Sequence, residues 1–464
     1  MVEEAGLAAL KHIEENRCFS GKLRMGLPHM GSSGTESSNN VAAMFVIAVC
    51  LATCSAISAC GAQADNPQSP SSGELKLREE RRHDAESGTR LEDLGAWLRA
   101  EAKRLISGCR RPASDCRTQC FTPDGGGRYG ALWTRDFCYM VEGYPDAIGR
   151  VDLQNAVRYL LKGVRTDGVA PDRVQTDGLA VYSAGPVGNP AGEPPTDNAQ
   201  FLVKLVELTV NRTGDMDIFR DHSATLEKAL NSIPRRDDGL VFIDPNEPKR
   251  SPYGFTDCIR KTGAVLFSSI VYWEALQCMA RLCDKSERRG DARRWRREAD
   301  KVRDALSAFW DEKEGVFLAA TEDCRQPDVW GSAYAVYAGA ATEKQALAVA
   351  RWMDNHYDEI VWQGMVRHMR EPEGWQSLLT GMQVNTYQNG GYWPTPTSWV
   401  VRTLRHVNPE RALQTLEDLL MYMREHGVNE WENKAGAVGV RDYVASATLP
   451  LIAVRAFEKR GESD

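Results

Sequence analysis

The sequence predicts an all-α domain: about twelve helices paired into six antiparallel hairpins, closed as a barrel with one elaborated face. Three observations lead there. From Leu91 onward apolar residues recur at three-and-four spacing, as in helices with one buried side. Convincing alternating stretches are few, and the best, Gly239-Leu-Val-Phe-Ile243, is short. Tight and long joins roughly alternate, so antiparallel pairs would send every long loop to one end, where a rigid scaffold can hold functional residues.

Taken in order, the first helix spans Leu91 to Ser107, with Leu94, Trp97, Leu98 and Leu105 on one side. Asp136 to Ile148 and Leu153 to Val164 follow. Asp197 to Val210 places Phe201, Leu202, Leu205 and Leu208 at helical spacing, with Asp197 suited to cap it. Asp215 to Ile233 precedes the apolar Gly263 to Cys283. In Asp291 to Trp310, Trp295, Ala299, Val302, Leu306 and Phe309 share a face. Val329 to Ala338 is followed by Thr342 to Met353, opening on a Thr342-x-x-Gln345 capping box. Trp399 to His406 precedes a helix with Asn408 as cap and Pro409 in its first turn. Tyr443 to Phe457 is the last.

Residues before Leu91 read differently. Residues 1–40 form an extension expected to be disordered. Residues 41–62 are uncharged and mostly apolar, and end Ile57-Ser-Ala-Cys60-Gly61, which resembles a bacterial lipoprotein cleavage box with Cys60 as the lipidated residue. This implies an exported, lipid-anchored chain with a membrane attachment at its N-terminal segment. The alternative is a cytoplasmic protein whose start is assigned too far upstream. Residues 63–90, rich in Asn, Pro, Ser, Gly and charge, read as a polar linker to a domain spanning 91–464.

A net charge of −7 without a basic stripe argues against nucleic acid as a partner. Twelve cysteines show no Cys-x-x-Cys ligand pairs; Cys109, Cys116 and Cys120 cluster near Cys138 without an interleaved His, which leaves room for a disulfide but gives no metal site. No cofactor is called for, because a phosphate-cradling loop with Lys and Ser/Thr at fixed offset is absent.

The long loops concentrate Asp, Glu, Trp, Tyr, Gln and Asn, which suits a carbohydrate partner carrying hydroxyls and apolar ring faces. Trp133-Thr-Arg135-Asp136 combines a flat apolar wall with a donor and an acceptor for neighbouring hydroxyls. The other candidates for binding sugar are Asp197, Asn198 and Gln200; Lys261; and Gln388, Asn389, Tyr392 and Trp393. Glycosidic cleavage needs two carboxyl groups with opposite tasks, standing roughly 6.5–9.5 Å apart where a water must fit between them. Asp257, flanked by Tyr253 and Phe255, is the better acid, and Glu430, beside Trp431, the better base, with Glu432 as the alternative base.

Trp133-Thr134-Arg135-Asp136 resembles the sugar-gripping motif of glucoamylase-type enzymes. The order of elements over about residues 91–460 is similar to the six-hairpin (α/α)6 glycosidases, including glycoside hydrolase family 63: an Arg-Asp cluster, a mid-chain acidic loop, Gly390-Gly-Tyr-Trp393, and Glu430-Trp-Glu-Asn433 before the last helix. The resemblance implies an inverting, exo-acting hydrolase of an α-glycosidic bond, glucosidase-like, with Asp257 as proton donor, Glu430 as base, and Arg135 and Asp136 binding the sugar at the cleavage point. The chain lacks the glucoamylase-type Glu pair around its donor. Rival readings are an epimerase, a uronide hydrolase or a polysaccharide lyase on the same toroid, the epimerase drawing on His368 or His426, and a non-catalytic carbohydrate binder. A helical-repeat scaffold would want a more regular period than these helix pairs have.

Overall fold

Six helices buried on nearly every side alternate along the chain with six that bury a single stripe, and this difference sorts them into two rings. A computed structural model describes residues 72–185 and 192–461. The N-terminal extension, the apolar segment with Cys60, and the linker up to residue 71 lie outside the described residues. Among the described residues no helix is long and apolar enough to cross a membrane.

The outer helices are α1 (Ser72–Gly108), α3 (Arg150–Lys162), α5 (Ser223–Asn231), α7 (Arg289–Ala305), α9 (Glu343–Asn355) and α11 (Pro409–His426). In α7 only Ala292, Trp295, Ala299 and Val302 are buried, one side of an otherwise charged cylinder. The inner helices are α2 (Thr134–Gly143), α4 (Asn198–Thr213), α6 (Leu266–Lys285), α8 (Val329–Ala338) and α10 (Thr397–Leu404); the sixth position is filled by α12 (Val444–Thr448) and α13 (Pro450–Gly461). Each inner helix packs on the next, and α12 returns to α2, closing the ring. This is the all-α toroid of six hairpins that the loop pattern implies.

The joins from inner to outer helices are short, as at 286–288, 339–342 and 405–408, while those from outer to inner are long: 109–133, 163–197, 232–265, 306–328, 356–396 and 427–443. All long loops therefore emerge where the inner helices begin. Short strands brace them. Strand β1 (Arg110–Pro112) pairs with β2 (Gln119–Phe121), and β3 (Ala131–Trp133) pairs antiparallel with β4 (Arg173–Gln175).

Local signals set several boundaries. The Thr342–Gln345 capping box forms, and the Asn408 side chain accepts from the Arg411 amide at 3.1 Å. Three expectations need correction. Helix α1 begins at Ser72, so the Ser72–Arg90 part of the expected linker is helical; its Glu, Lys, Arg and Ala content favours helix, a propensity outweighed in the sequence reading by its charge. The stretch read as one helix from Asp215 to Ile233 is broken between a single turn at Asp217–Arg220 and α5. Cys109, Cys116, Cys120 and Cys138 are free thiols.

The interior of the inner ring is filled. Tyr139, Phe201, Tyr253, Phe267, Tyr334 and Trp399 pack ring on ring, Tyr253 and Phe267 with centroids 3.9 Å apart. Buried Lys204 of α4 lies 2.9 Å from Glu142 of α2 and 3.0 Å from Glu274 of α6, and donates to the Tyr334 hydroxyl of α8 at 3.0 Å. One ammonium thus joins four of the six inner helices. Lys204→Met should leave two partly buried carboxylates without their buried cation and cost up to about 3 kcal/mol, read as a lowered urea midpoint at unchanged helix content.

Candidate active site

Five of the six long joins, with the starts of α2 and α12, surround a cavity of about 980 Å³. That is at the upper end of the roughly 300–1,000 Å³ range of ligand pockets. Trp133, Arg135, Asp136, Asp257 and Glu430 all line it.

Arg135 stands in the first turn of α2, and its guanidinium is engaged on one side. Nε donates to Asp197 Oδ2 at 2.7 Å, and Nη2 donates to Asp197 Oδ1 at 2.8 Å and to Asn198 Oδ1 at 3.1 Å. Gly254 lies flat against it; a Cβ there would fall 1.8 Å from Arg135 Nη1, so only glycine fits. Asp136 accepts a hydrogen bond from the Tyr443 hydroxyl, and burial raises its carboxyl above the ordinary value. Trp133 donates through Nε1 to the Tyr129 carbonyl at 3.2 Å, and the Arg173 guanidinium sits 4.4 Å over its ring.

The two acids meet different surroundings. Asp257 follows a 3-10 turn at Gly254–Thr256 and is almost fully buried. Its carboxyl is pushed up by burial, against the Gln388 amide that donates to it and the charge of Arg135. Gln388 is itself fixed by accepting from the Cys258 amide at 2.8 Å. Glu430 belongs to a hairpin in which its amide donates to the Val440 carbonyl at 2.8 Å. Its Oε1 accepts from the Tyr129 hydroxyl at 2.8 Å, and Oε2 from the Val440 amide at 3.3 Å. Burial nevertheless lifts this carboxyl to about 7, helped by Asp136 and opposed by those donors.

The other candidates stand behind the wall rather than on it. Asp197 occupies the position before α4, yet its side chain makes no cap bond, because Arg135 takes both oxygens. Asn198 supports Arg135, and Gln200 donates to the Thr196 carbonyl. Lys261 is buried 3.3 Å from Asp328 and 3.9 Å over the Trp375 ring. Gln388 steadies Asp257. Asn389 accepts from the Trp375 amide, Tyr392 donates to Glu371, and Trp393 donates to the Tyr387 carbonyl. Glu432 faces away, accepting from the Tyr422 hydroxyl of α11 and the Asn429 amide, both at 2.8 Å. His368 is stacked 3.6 Å on Trp330, and His426 lies on Tyr422; neither lines the cavity.

Several wall residues were not singled out as site residues: Tyr129, Asp172, Arg173, Tyr387, Trp431 and Tyr443. Tyr387 and Trp431 each adjoin a candidate, Tyr443 stands at the start of α12, and Tyr129 lies four residues before Trp133 in the same stretch. Asp172 and Arg173 sit in a long loop marked only by its length. Asp172 is fully buried, which lifts its carboxyl to about 7 against Arg135 and Arg173. Among the described residues no group of three or more His, Cys, Asp or Glu converges as a metal site would.

No family model and no curated protein matches the chain. Solved structures do. A rhamnosidase from Klebsiella oxytoca with rhamnose bound superposes with a TM-score of 0.56 at 15% identity, covering 78% of this chain and 64% of that one. A GH63 mannosylglycerate hydrolase from Thermus thermophilus in complex with Tris gives 0.57 at 15% identity, covering 76% and 99%. The fold is that of the six-hairpin (α/α)6 glycosidases. The same hydrolase has been solved with glucose, at a TM-score of 0.54 and 16% identity over 76% and 99% of the two chains. This chain spans under two thirds of the rhamnosidase's length and nearly all of the mannosylglycerate hydrolase's. At such identities the six-hairpin likeness covers the arrangement of helices.

The position of the Glu430 carboxyl has a measurable consequence. It holds its proton more tightly folded than unfolded, from an ordinary value of 4.5 up to about 7. Its contribution to stability should therefore fall as pH rises through that interval and level off above it. A carbon-detected NMR titration should place Glu430 near 7, and Tyr129→Phe, which removes a donor to the ionised form, should move it higher.

Proposed function

We propose that the chain is a glycoside hydrolase, exo-acting and inverting, that cleaves an α-glycosidic bond with Asp257 as general acid and Glu430 as general base. The observation that carries this is the pair of buried acids on the wall of one cavity, delivered by separate loops and held by different donors. Desolvation raises the Asp257 carboxyl above its ordinary value, the direction a group needs in order to protonate a leaving oxygen. Glu430, ordered by Tyr129 and the Val440 amide, takes the proton of the attacking water. Arg135 and Asp136 hold hydroxyls of the sugar, with the Trp133 ring as its apolar wall.

The chemistry balances over one turnover. Asp257 gives its proton to the departing oxygen as the glycosidic bond breaks. Water attacks the anomeric carbon from the opposite face and loses its proton to Glu430. The neighbours of like fold, solved with rhamnose or glucose bound, support a sugar as the ligand. An epimerase drawing on His368 or His426 lacks support, since both rings stand off the cavity wall.

A screen of aryl α-glycosides and α-linked disaccharides, with product configuration followed by NMR, tests the reading. An α-substrate should first give β-product; retention of configuration, or no turnover of any glycoside, sinks it. Asp257→Asn should lower kcat roughly 10²- to 10⁴-fold on poor leaving groups and far less on 2,4-dinitrophenyl glycosides, which need no protonation. The acidic limb of kcat/KM should rise as Glu430 ionises near pH 7. The 41–62 segment carries a companion proposal, export with a lipid on Cys60. Cys60→Ala should then move the protein from the membrane to the soluble fraction, and an unchanged distribution refutes it.

A further inference from the structure

Three arginines and four carboxylates line the cavity, and among the described residues all but one have a partner. Arg135 is taken by Asp197. Arg173 donates to Asp172 at 3.0 Å and to the carbonyls of Ser183 and Gly185. Asp136, Asp257 and Glu430 accept from Tyr443, Gln388 and Tyr129. Arg128 is the exception: exposed at the rim of the cavity, its guanidinium makes no hydrogen bond or ion pair among the described residues, and its charge acts on Glu430.

Its place is built. The Asp124 carboxylate accepts from the backbone amides of Arg128 and Tyr129 at 3.0 and 2.9 Å. The Gly125 amide donates to the Asp442 carbonyl at 3.2 Å, and Arg111 donates to the Gly125 carbonyl at 3.0 Å. The next residue, Tyr129, reaches Glu430. A loop fixed from three sides thus delivers one uncommitted guanidinium to the rim beside the base. Such a fork of donors matches a carboxylate in geometry and charge. The wall carries three guanidiniums against four carboxyls, and burial raises all four of those carboxyls above their ordinary values.

We infer that Arg128 reads a carboxylate on the substrate, so that the glycoside taken by this cavity is an acidic one. The charge sits either on the sugar ring or on the leaving group. The inference rests on the hydrolase reading for the word substrate, but the recognition itself is a binding property and is tested as one.

Calorimetric titration of the full chain at low salt separates the two sources. The sugar arm compares D-glucuronate with D-glucose and D-mannuronate with D-mannose. The leaving-group arm compares 4-carboxyphenyl with phenyl thioglycosides of the same two neutral sugars, which are not hydrolysed. In one arm the carboxylated twin should bind at least about tenfold tighter, or ~1.4 kcal/mol. Arg128→Gln should abolish that preference and leave the neutral twin unchanged. Arg128→Lys, which keeps charge but loses the fork, should keep part of it. The inference is overturned if no carboxylated twin is preferred in either arm. It is equally overturned if Arg128→Gln weakens charged and neutral twins alike, which would assign Arg128 to the loop or the base. A carboxylate preference without turnover of any glycoside would refute the hydrolase and leave this inference standing. Turnover without the preference would do the reverse.

Discussion

The ion pair between Arg135 and Asp197 is the constraint on which the site depends. It joins the first turn of α2 to the residue before α4, fully out of water, with two parallel hydrogen bonds. A buried guanidinium is tolerated only when its charge and donors are met, and here Asp197, Asn198 and the more distant Asp172, at 3.7 Å, meet them. The Gly254 amide donates to the same Asp197 at 3.1 Å, so the loop carrying Asp257 is hung on this pair. The placement of the Asp257 loop is therefore set by the junction of two inner helices.

Glu430 is positioned independently. It takes its place from a hairpin before α12 and from Tyr129, on the loop before α2. Tyr443, at the start of α12, reaches back to Asp136. Closure of the ring between its last and first inner helices thus also closes the site. A barrel opened at that seam would separate Glu430 from Tyr129 and Asp136 from Tyr443 together.

Much of the layout was legible in the chain. Three-and-four spacing, the alternation of tight and long joins and the caps at Thr342 and Asn408 could be read directly. Residue type also pointed to Arg135, Asp136, Asp257 and Glu430 as a group on the long loops, and the structure places all four on one wall. Direction was not legible. Asp197 has the identity and position of a cap, yet a guanidinium distant in sequence outcompetes the local amides for its oxygens. Glu432 has the same chemistry as Glu430, but Tyr422 on an outer helix turns it away. Lys261, Asn389, Tyr392 and Trp393 are polar or aromatic residues on the right loops whose partners lie in the supporting layer. Such choices are made by contacts between segments far apart in the chain, which spacing along a single stretch does not encode.

The packed interior of the ring has a consequence for traffic. With aromatic rings stacked across the lumen and Lys204 bound among three acidic and phenolic partners, the toroid is a cup with a solid base. A polymer cannot be threaded through and out of the far side. Departing molecules must retreat through the same opening by which the next arrives, so arrivals and departures share a single doorway and must take turns.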